Sequence, residues 1–363
     1  MKPVLKANFT YTQKLPASGE AARPRLRLPR LFMSYGPVVF LLLTGLSSCE
    51  TLVNTVPESK LPRMESQLTV FSFVSPQDTV IRVKVSQTVP LFGEYTFSPG
   101  TSLVVADGDT ILSNIDSFTT ATVVISDGVS SATLPYNSRE QVYALPARQF
   151  PIKAGTTYSL TVTDGKRSAQ ASCTVPPEQV PIKEYTLDTA LVTGLSRRDT
   201  SLILSFTWND LAGKENYYRV KAFELFEYSV VKIDTITQAT KEARTLGRSY
   251  FRWVGTSSRN VFQNDTNLDG TLFSSPQGRK PKEGLQYLAS LTGGPVKPER
   301  GPENKGTFLL LLNTDSHYYR FHRSVQQAGE DNPFAEPALV YTNVKGGLGV
   351  FAAYNQSVQV IKP

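Results

Sequence analysis

The sequence contains few of the residues that usually build metal and catalytic sites. Its 363 residues include two cysteines, two histidines, two tryptophans and three methionines. The histidines, His317 and His322, are five positions apart on a predicted helix, so they do not share a face as a pair four apart would. This spacing argues against a zinc site built on both. No nucleophile, acid and base stand in a catalytic arrangement either, and we therefore expect neither an enzyme nor a bound cofactor.

Long apolar runs are also missing. The most apolar segment, Leu31–Leu43, is broken by Gly36 and Pro37 and is shorter than the about 20 residues that a membrane-spanning helix needs. Arginines precede this segment, and the small residues Ser47 and Ser48 follow it. A basic start, an apolar middle and a small-residue exit are the three parts of an export signal. The segment therefore predicts export across a membrane.

Cys49 ends this signal, and Leu46 lies three positions before it with small residues between them. The arrangement resembles the cleavage signal of bacterial lipoproteins, whose cysteine becomes acylated. We therefore predict that 1–48 is a leader with a lipoprotein signal peptide and that Cys49 is lipidated, which makes outer-membrane lipid a partner. A secretory signal with an incidental cysteine, or an uncleaved anchor, is the alternative. Whether translation starts at Met1 or Met33 stays open.

Cys173 is the remaining cysteine. If Cys49 carries lipid, Cys173 has no intramolecular partner, so a disulfide framework is excluded. Alternation along Ala169–Val175 places its side chain with the apolar ones. We predict a buried structural thiol rather than a nucleophile.

The positive charge of the chain lies mostly in the predicted leader. The formal net charge is +7 and the pI is about 9.2. Residues 1–48 hold seven of the 38 Lys and Arg residues and one of the 31 acids, which leaves 31 bases and 30 acids. A nearly neutral mature chain lacks the basic surface that nucleic-acid binding needs, and we expect no nucleic-acid partner.

The remaining chain has the pattern of a mostly β protein, with short alternating segments between turns. After a tether at 49–63, we predict an immunoglobulin-like sandwich at 64–180 and a second β-sandwich-like domain at 181–363. Strands are predicted at 68–74, 80–85, 157–163, 169–175, 202–210, 217–223 and 307–312. The one predicted helix, Ser316–Gln327, has Asp315 as its N-cap.

The pattern fades between residues 241 and 302, where glycine, proline and basic residues dominate. We predict an irregular insertion at 241–302 that contacts a partner, because aromatic side chains among Arg and Lys are favoured in contact patches. The candidate contact residues are Tyr250, Phe251, Trp253 and Phe262. The alternative is that these rings belong to the core, as we predict for Trp208.

The insertion also contains a partial calcium-loop pattern. Asp265, Asn267 and Asp269 alternate along the chain, and Gly270 takes the sixth position. The twelfth position is Pro276, where a calcium loop has a bidentate glutamate. We assign no metal site, and both a calcium site and an ordinary turn remain open.

Asp-Thr followed by an apolar residue occurs four times, at Thr79, Thr110, Thr189 and Thr235. This pattern looks like the acceptor of O-linked sugars on exported bacterial proteins. The alternative is that aspartate ends turns and threonine begins strands.

The tail of the chain is distinctive. It runs through Asn332–Pro337 into Tyr341–Phe351, with Lys345-Gly346-Gly347-Leu348-Gly349 inside the second segment. Together with the lipoprotein signal and the pairs at 208–210 and 216–218, it resembles a Bacteroidota-type outer-membrane lipoprotein family catalogued only as domain of unknown function 4249. The resemblance implies a lipoprotein often encoded beside TonB-dependent transporters and assigns no functional residues. We read the glycines as structural closure of the fold.

These observations predict a function class. We expect a lipid-anchored, non-enzymatic accessory or binding protein of the outer membrane, on its periplasmic or cell-surface face, that acts beside a TonB-dependent nutrient transporter. The alternative is a surface lipoprotein that captures a glycan or peptide directly.

Overall fold

The structure, a computed structural model, describes residues 66–88, 103–106, 110–113, 117–193, 198–233, 240–253, 261–281, 303–328 and 339–363. These residues belong to one compact unit that spans Pro62–Pro363. The predicted leader, Cys49 and the whole of the predicted tether lie outside the described residues.

Most described residues form strands. The first ten are β1 (Leu68–Val74), β2 (Val80–Gln87), β3 (Leu103–Ala106), β4 (Thr110–Ser113), β5 (Thr122–Ser126), β6 (Ser131–Leu134), β7 (Tyr136–Asn137), β8 (Val142–Pro146), β9 (Thr157–Thr163) and β10 (Ser168–Thr174). The next eight are β11 (Glu184–Thr193), β12 (Arg198–Asn209), β13 (Tyr217–Ile233), β14 (Thr240–Tyr250), β15 (Arg252–Trp253), β16 (Phe262–Asn264), β17 (Leu272–Ser274) and β18 (Gly278–Pro281). The last elements are β19 (Glu303–Thr314), the helix α1 (Ser316–Ala328) and β20 (Gly347–Ile361). The predicted mostly β, sandwich-like fold is confirmed.

The largest sheet has nine strands in the order β14-β13-β19-β20-β1-β2-β8-β7, with β16 also paired to β13. β1 pairs with β20 in parallel, whereas the other pairs in this sheet are antiparallel. Strands from both sides of residue 180 therefore share one sheet. The predicted domain boundary at that residue stays a prediction.

Two smaller sheets complete the layers. One has the order β10-β9-β5-β6, and the other has the order β11-β12-β18-β15 with β17 paired to β12. β3 and β4 form a separate hairpin. The described parts of the predicted irregular region 241–302 thus carry β14 to β18, which corrects that prediction. β15 to β18 have only two to four residues each, too few to show a clear alternation.

Three apolar clusters lie in the described unit. The first includes Val70 of β1, Val123 of β5 and Leu160 of β9, and so lies between the large sheet and the four-stranded sheet. The second joins β12 to β13 and β19 through residues such as Trp208 and Val220. Trp208 is fully buried, as predicted.

The third cluster lies beneath α1. Tyr318 and Phe321 of the helix pack on Val350 and Ala352 of β20. The backbone N–H of Tyr318 donates to Oδ1 of Asp315 at 2.8 Å, which confirms the predicted N-cap. Among the described residues, no helix is both long and apolar enough to cross a bilayer.

Candidate functional site

Three of the four aromatic residues predicted to contact a partner, Tyr250, Phe251 and Trp253, line one cavity. The segment that follows β14 folds back over β13, because the Phe251 N–H donates to the Ala222 carbonyl at 3.0 Å. A cavity of about 170 Å³ lies between the two. It is lined by Arg219, Val220, Lys221, Ala222, Tyr250, Phe251, Trp253 and Val261. Pockets for whole ligands usually start at about 300 Å³, so this one fits a single side chain or sugar ring.

Burial divides these aromatic residues. Phe251 is 4% exposed and belongs to the second apolar cluster, so it is a core residue rather than a contact residue. Trp253 is half-buried, with its ring edge-on to Phe206 at 6.4 Å between centroids. A side chain at Gly278 would overlap the Trp253 ring, so the position of the indole requires glycine here. Trp253 and Tyr250 therefore keep ring surface that a partner can contact.

Phe262 lies at the next aromatic group, on β16. Its ring stacks on His322 of α1 at 5.3 Å, and the Arg219 guanidinium lies 4.9 Å from its centroid. Arg219 is 8% exposed and donates from Nη1 to the Tyr318 hydroxyl at 2.5 Å. Arg219 thus connects the cavity to the helix and places a buried positive charge at the wall of the cavity. Sequence reasoning missed this role, because a single arginine in a strand is common and carries no motif.

The calcium candidates lie beside an acid that the sequence analysis missed. One carboxylate oxygen each of Asp210, Asp265 and Asp269 lies within 4.8 Å of the others. Asp210 and Asp265 are buried, and Asp269 is exposed. Asn267 lies in the turn between Asp265 and Asp269 and has a positive φ of 64°. Three carboxylates at this spacing are able to hold a divalent cation.

The same carboxylates also stabilise two loops without a metal. Asp210 accepts a hydrogen bond from the Tyr218 hydroxyl at 2.6 Å and another from the Gly270 N–H at 2.8 Å. Asp265 accepts from the Asn216 N–H, and Asp269 accepts from the Gly213 N–H. Burial and the bond to Asp210 raise the pKa of Tyr218 well above its ordinary value. The acids therefore already join loop 210–216 to loop 265–271.

A second cavity, of about 290 Å³, lies at the start of α1. It is lined by Pro176, Pro177, Leu211, Lys214, Glu215, Asn216, Tyr217, Asn313, Thr314, Asp315 and Ser316. Desolvation raises the pKa of Asp315 to about 7, although hydrogen bonds from backbone N–H groups oppose the shift. Its Oδ2 atom is buried and has no hydrogen-bond partner among the described residues.

Cys173 and the two histidines pack against, or hydrogen-bond to, other residues of the fold. Cys173 is 2% exposed, and burial raises the pKa of its thiol well above the ordinary value, which agrees with the predicted structural role. His322 stacks between Phe73 and Phe262. Nδ1 of His317 lies 2.7 Å from the Tyr341 hydroxyl.

The predicted acceptors of sugars differ in their surroundings. Thr79 is exposed at the turn before β2, and Thr189 is exposed on β11. Both hydroxyls are therefore accessible. The Thr110 side chain and all of Thr235 lie outside the described residues.

The distinctive glycine tail pairs with strands of two sheets. Lys345 exchanges two backbone hydrogen bonds with Gln170 of β10, at 2.7 and 2.9 Å. Gly347 and Gly349 then pair with Leu68 and Val70 of β1. The tail thus joins the four-stranded sheet to the nine-stranded sheet, which agrees with its predicted structural role.

These features define a mostly β protein whose layers are joined by a glycine-rich C-terminal strand. The chain belongs to the family described as domain of unknown function (DUF4249), which matches residues 52–359. A search of curated proteins found no match to the chain.

Proposed function

We propose that this protein is a lipid-anchored accessory protein of the outer membrane that binds a partner protein and acts beside a TonB-dependent nutrient transporter. The observation that carries the proposal is Cys49, at the end of a basic, then apolar, then small-residue segment. Two or more acyl chains on one cysteine hold a protein on a bilayer without a spanning helix. The nearly neutral remainder of the chain favours a protein partner over nucleic acid.

Detergent phase partitioning of the protein from its native host tests the anchor. The wild type enters the detergent phase, and its intact mass equals the chain from Cys49 plus acyl groups. Cys49→Ser stays in the aqueous phase. Cys173→Ala is the matched control, because it removes the other cysteine, which is buried, and it still enters the detergent phase.

Affinity purification of the tagged wild type after chemical cross-linking tests the transporter. The expected result is a TonB-dependent transporter in amounts comparable to the tagged protein, and its loss with Cys49→Ser. A wild type that retains its leader or partitions into water contradicts the proposal.

A second candidate function is direct capture of a glycan or peptide. The cavity at Trp253 and Tyr250 favours it, because a half-buried indole beside a small cavity is a surface on which a sugar ring or side chain stacks. Glycan and peptide arrays separate the two functions. The accessory function predicts no array signal, whereas direct capture predicts a signal that Trp253→Ala removes.

A further inference from the structure

β11 is a long strand with one open edge. It pairs with β12 at all ten of its positions, from Glu184 to Thr193. On its other side no strand of the described chain pairs with it. Tyr185 is 44% exposed and Leu191 is 65% exposed. β11 therefore presents a row of unpaired backbone groups flanked by apolar side chains.

The other edges of the three larger sheets are protected. β7 and β15 have two residues each and β6 has four, so they are too short to accept a strand of useful length. β10 is covered in part, by backbone bonds between its Gln170 and Lys345 and by a bond from the Asn343 side chain to the Ser172 carbonyl. β14 contains basic residues that discourage pairing, namely Lys241, Arg244 and Arg248. Since natural sheets usually protect their edges in these ways, an open edge as long as β11 indicates a binding function.

The two faces of β11 differ in chemistry. Tyr185 and Leu187 lie on the side of Phe206 and Leu204, their register partners in the second apolar cluster. Glu184 and Asp188 lie on the opposite face, and both are exposed. Neither carboxylate has an ion-pair partner among the described residues, and β11 contains no basic side chain.

We propose that the open edge of β11 binds an extended segment of a partner protein, which adds to the sheet as a further strand. The segment alternates apolar side chains, which cover Tyr185 and Leu191, with basic side chains, which face Glu184 and Asp188. Main-chain hydrogen bonds supply the affinity and the alternating side chains supply the selectivity. The inference rests on the proposed function for the nature of the partner, a protein.

Charge disfavours a second copy of this chain as the occupant. Two copies of β11 paired antiparallel place Glu184 and Asp188 of both chains on one face, with no base between them. Like charges across paired strands are unfavourable. A segment with basic residues at alternate positions removes this repulsion.

The test uses the full chain in detergent and two synthetic peptides matched to β11 in length. One alternates valine and lysine, and the other alternates valine and glutamate. Fluorescence anisotropy measures binding, and hydrogen exchange with mass spectrometry finds the protected segment. The expected result is that the valine–lysine peptide binds and slows exchange in 184–193, while the valine–glutamate peptide binds at least about tenfold more weakly.

Variants at the edge sharpen the test. Glu184→Lys with Asp188→Lys reverses the charge of the exposed face, and the preference then switches to the valine–glutamate peptide. Val129→Lys is the matched control, because Val129 is 96% exposed in the turn between β5 and β6, and it leaves the preference unchanged.

Several results would overturn the inference. They are no slower exchange in 184–193 at the solubility limit of the valine–lysine peptide, equal binding of both peptides, or protection of 184–193 that grows with protein concentration alone. Phase partitioning of the anchor is measured separately, so the proposed location and this inference can each fail without the other.

Discussion

Gly349 lies so close to Val70 that a Cβ atom on the glycine would overlap the Val70 carbonyl oxygen. The two residues are register partners in the parallel pair of β20 and β1. Gly349 also has a φ of +110°, which side-chain-bearing residues rarely adopt. Both its conformation and its contact therefore require glycine.

We predict that Gly349→Ala lowers the free energy of unfolding by more than about 3 kcal/mol, because it adds a backbone clash to the conformational strain. Gly128→Ala is the control, since Gly128 has a φ of +86° but open space around it, and it costs about 1 kcal/mol. Urea denaturation measures both. Equal losses of unfolding free energy in the two variants would show that the overlap with Val70 does not destabilise Gly349→Ala.

A second prediction concerns the buried ion pair of Lys280 and Glu224, whose Nζ and Oε2 atoms are 2.6 Å apart. Their side chains are 2% and 7% exposed. Lys280→Met leaves the Glu224 carboxylate buried without this cation and is expected to cost about 3–5 kcal/mol. The double variant, which combines Lys280→Met with Glu224→Leu, is expected to recover most of the lost unfolding free energy, because it removes both charges together. A double-mutant cycle of unfolding free energies checks this, and a double variant as unstable as Lys280→Met contradicts it.

Asp315 gives a prediction for pH. Burial raises its folded-state pKa from 3.8 to about 7, so between these values the folded chain binds more protons than the unfolded chain. The Asp315 contribution to stability is thus fully present below about pH 4 and falls as the pH rises to about 7.

Asp315→Asn keeps an N-cap oxygen for the Tyr318 N–H and removes the titration. The difference in unfolding free energy between this variant and the wild type is expected to shift in favour of the variant by about 4 kcal/mol between pH 4 and pH 8. Denaturation curves across this range measure the difference. A constant difference means that the Asp315 pKa is not raised.

The acid cluster of Asp210, Asp265 and Asp269 allows two roles to be distinguished by experiment. One is hydrogen bonding between the two loops, and the other is the predicted calcium binding. Asp210→Ala removes the acceptor for the Tyr218 hydroxyl and the Gly270 N–H and is expected to cost about 2–3 kcal/mol without any metal. Thermal unfolding with and without calcium chloride tests the site that Asp265 and Asp269 would share. A calcium-dependent rise in the wild type that Asp269→Asn loses supports a metal site, and equal curves support an ordinary turn.

Local pattern predicted much of the fold. Alternation placed β1, β9 and β10, and the Asp315 cap and apolar face placed α1, because these signals come from neighbours in the chain. Periodicity carries no information about which distant strands pair, so the parallel pairing of β1 with β20 was not predicted.

The candidate site was predicted only in part. The aromatic residues at 250–253 were identified from composition, but their division into core and cavity wall depends on how the segment folds over β13. Asp210 and Arg219 act through partners far away in the sequence, on loop 265–271 and on α1. No spacing rule joins such residues before the chain is folded.

The partner of β1 on one side is the last strand of the described chain. When β1 leaves the ribosome or a translocation channel, one of its edges therefore stays unpaired until almost the entire polypeptide has followed. Large sheets assembled from contacts between distant residues form slowly and are exposed to aggregation meanwhile. The large sheet therefore cannot be completed before β20 is available, and a chain that ends before β20 would leave β1 paired on one side only, with β2.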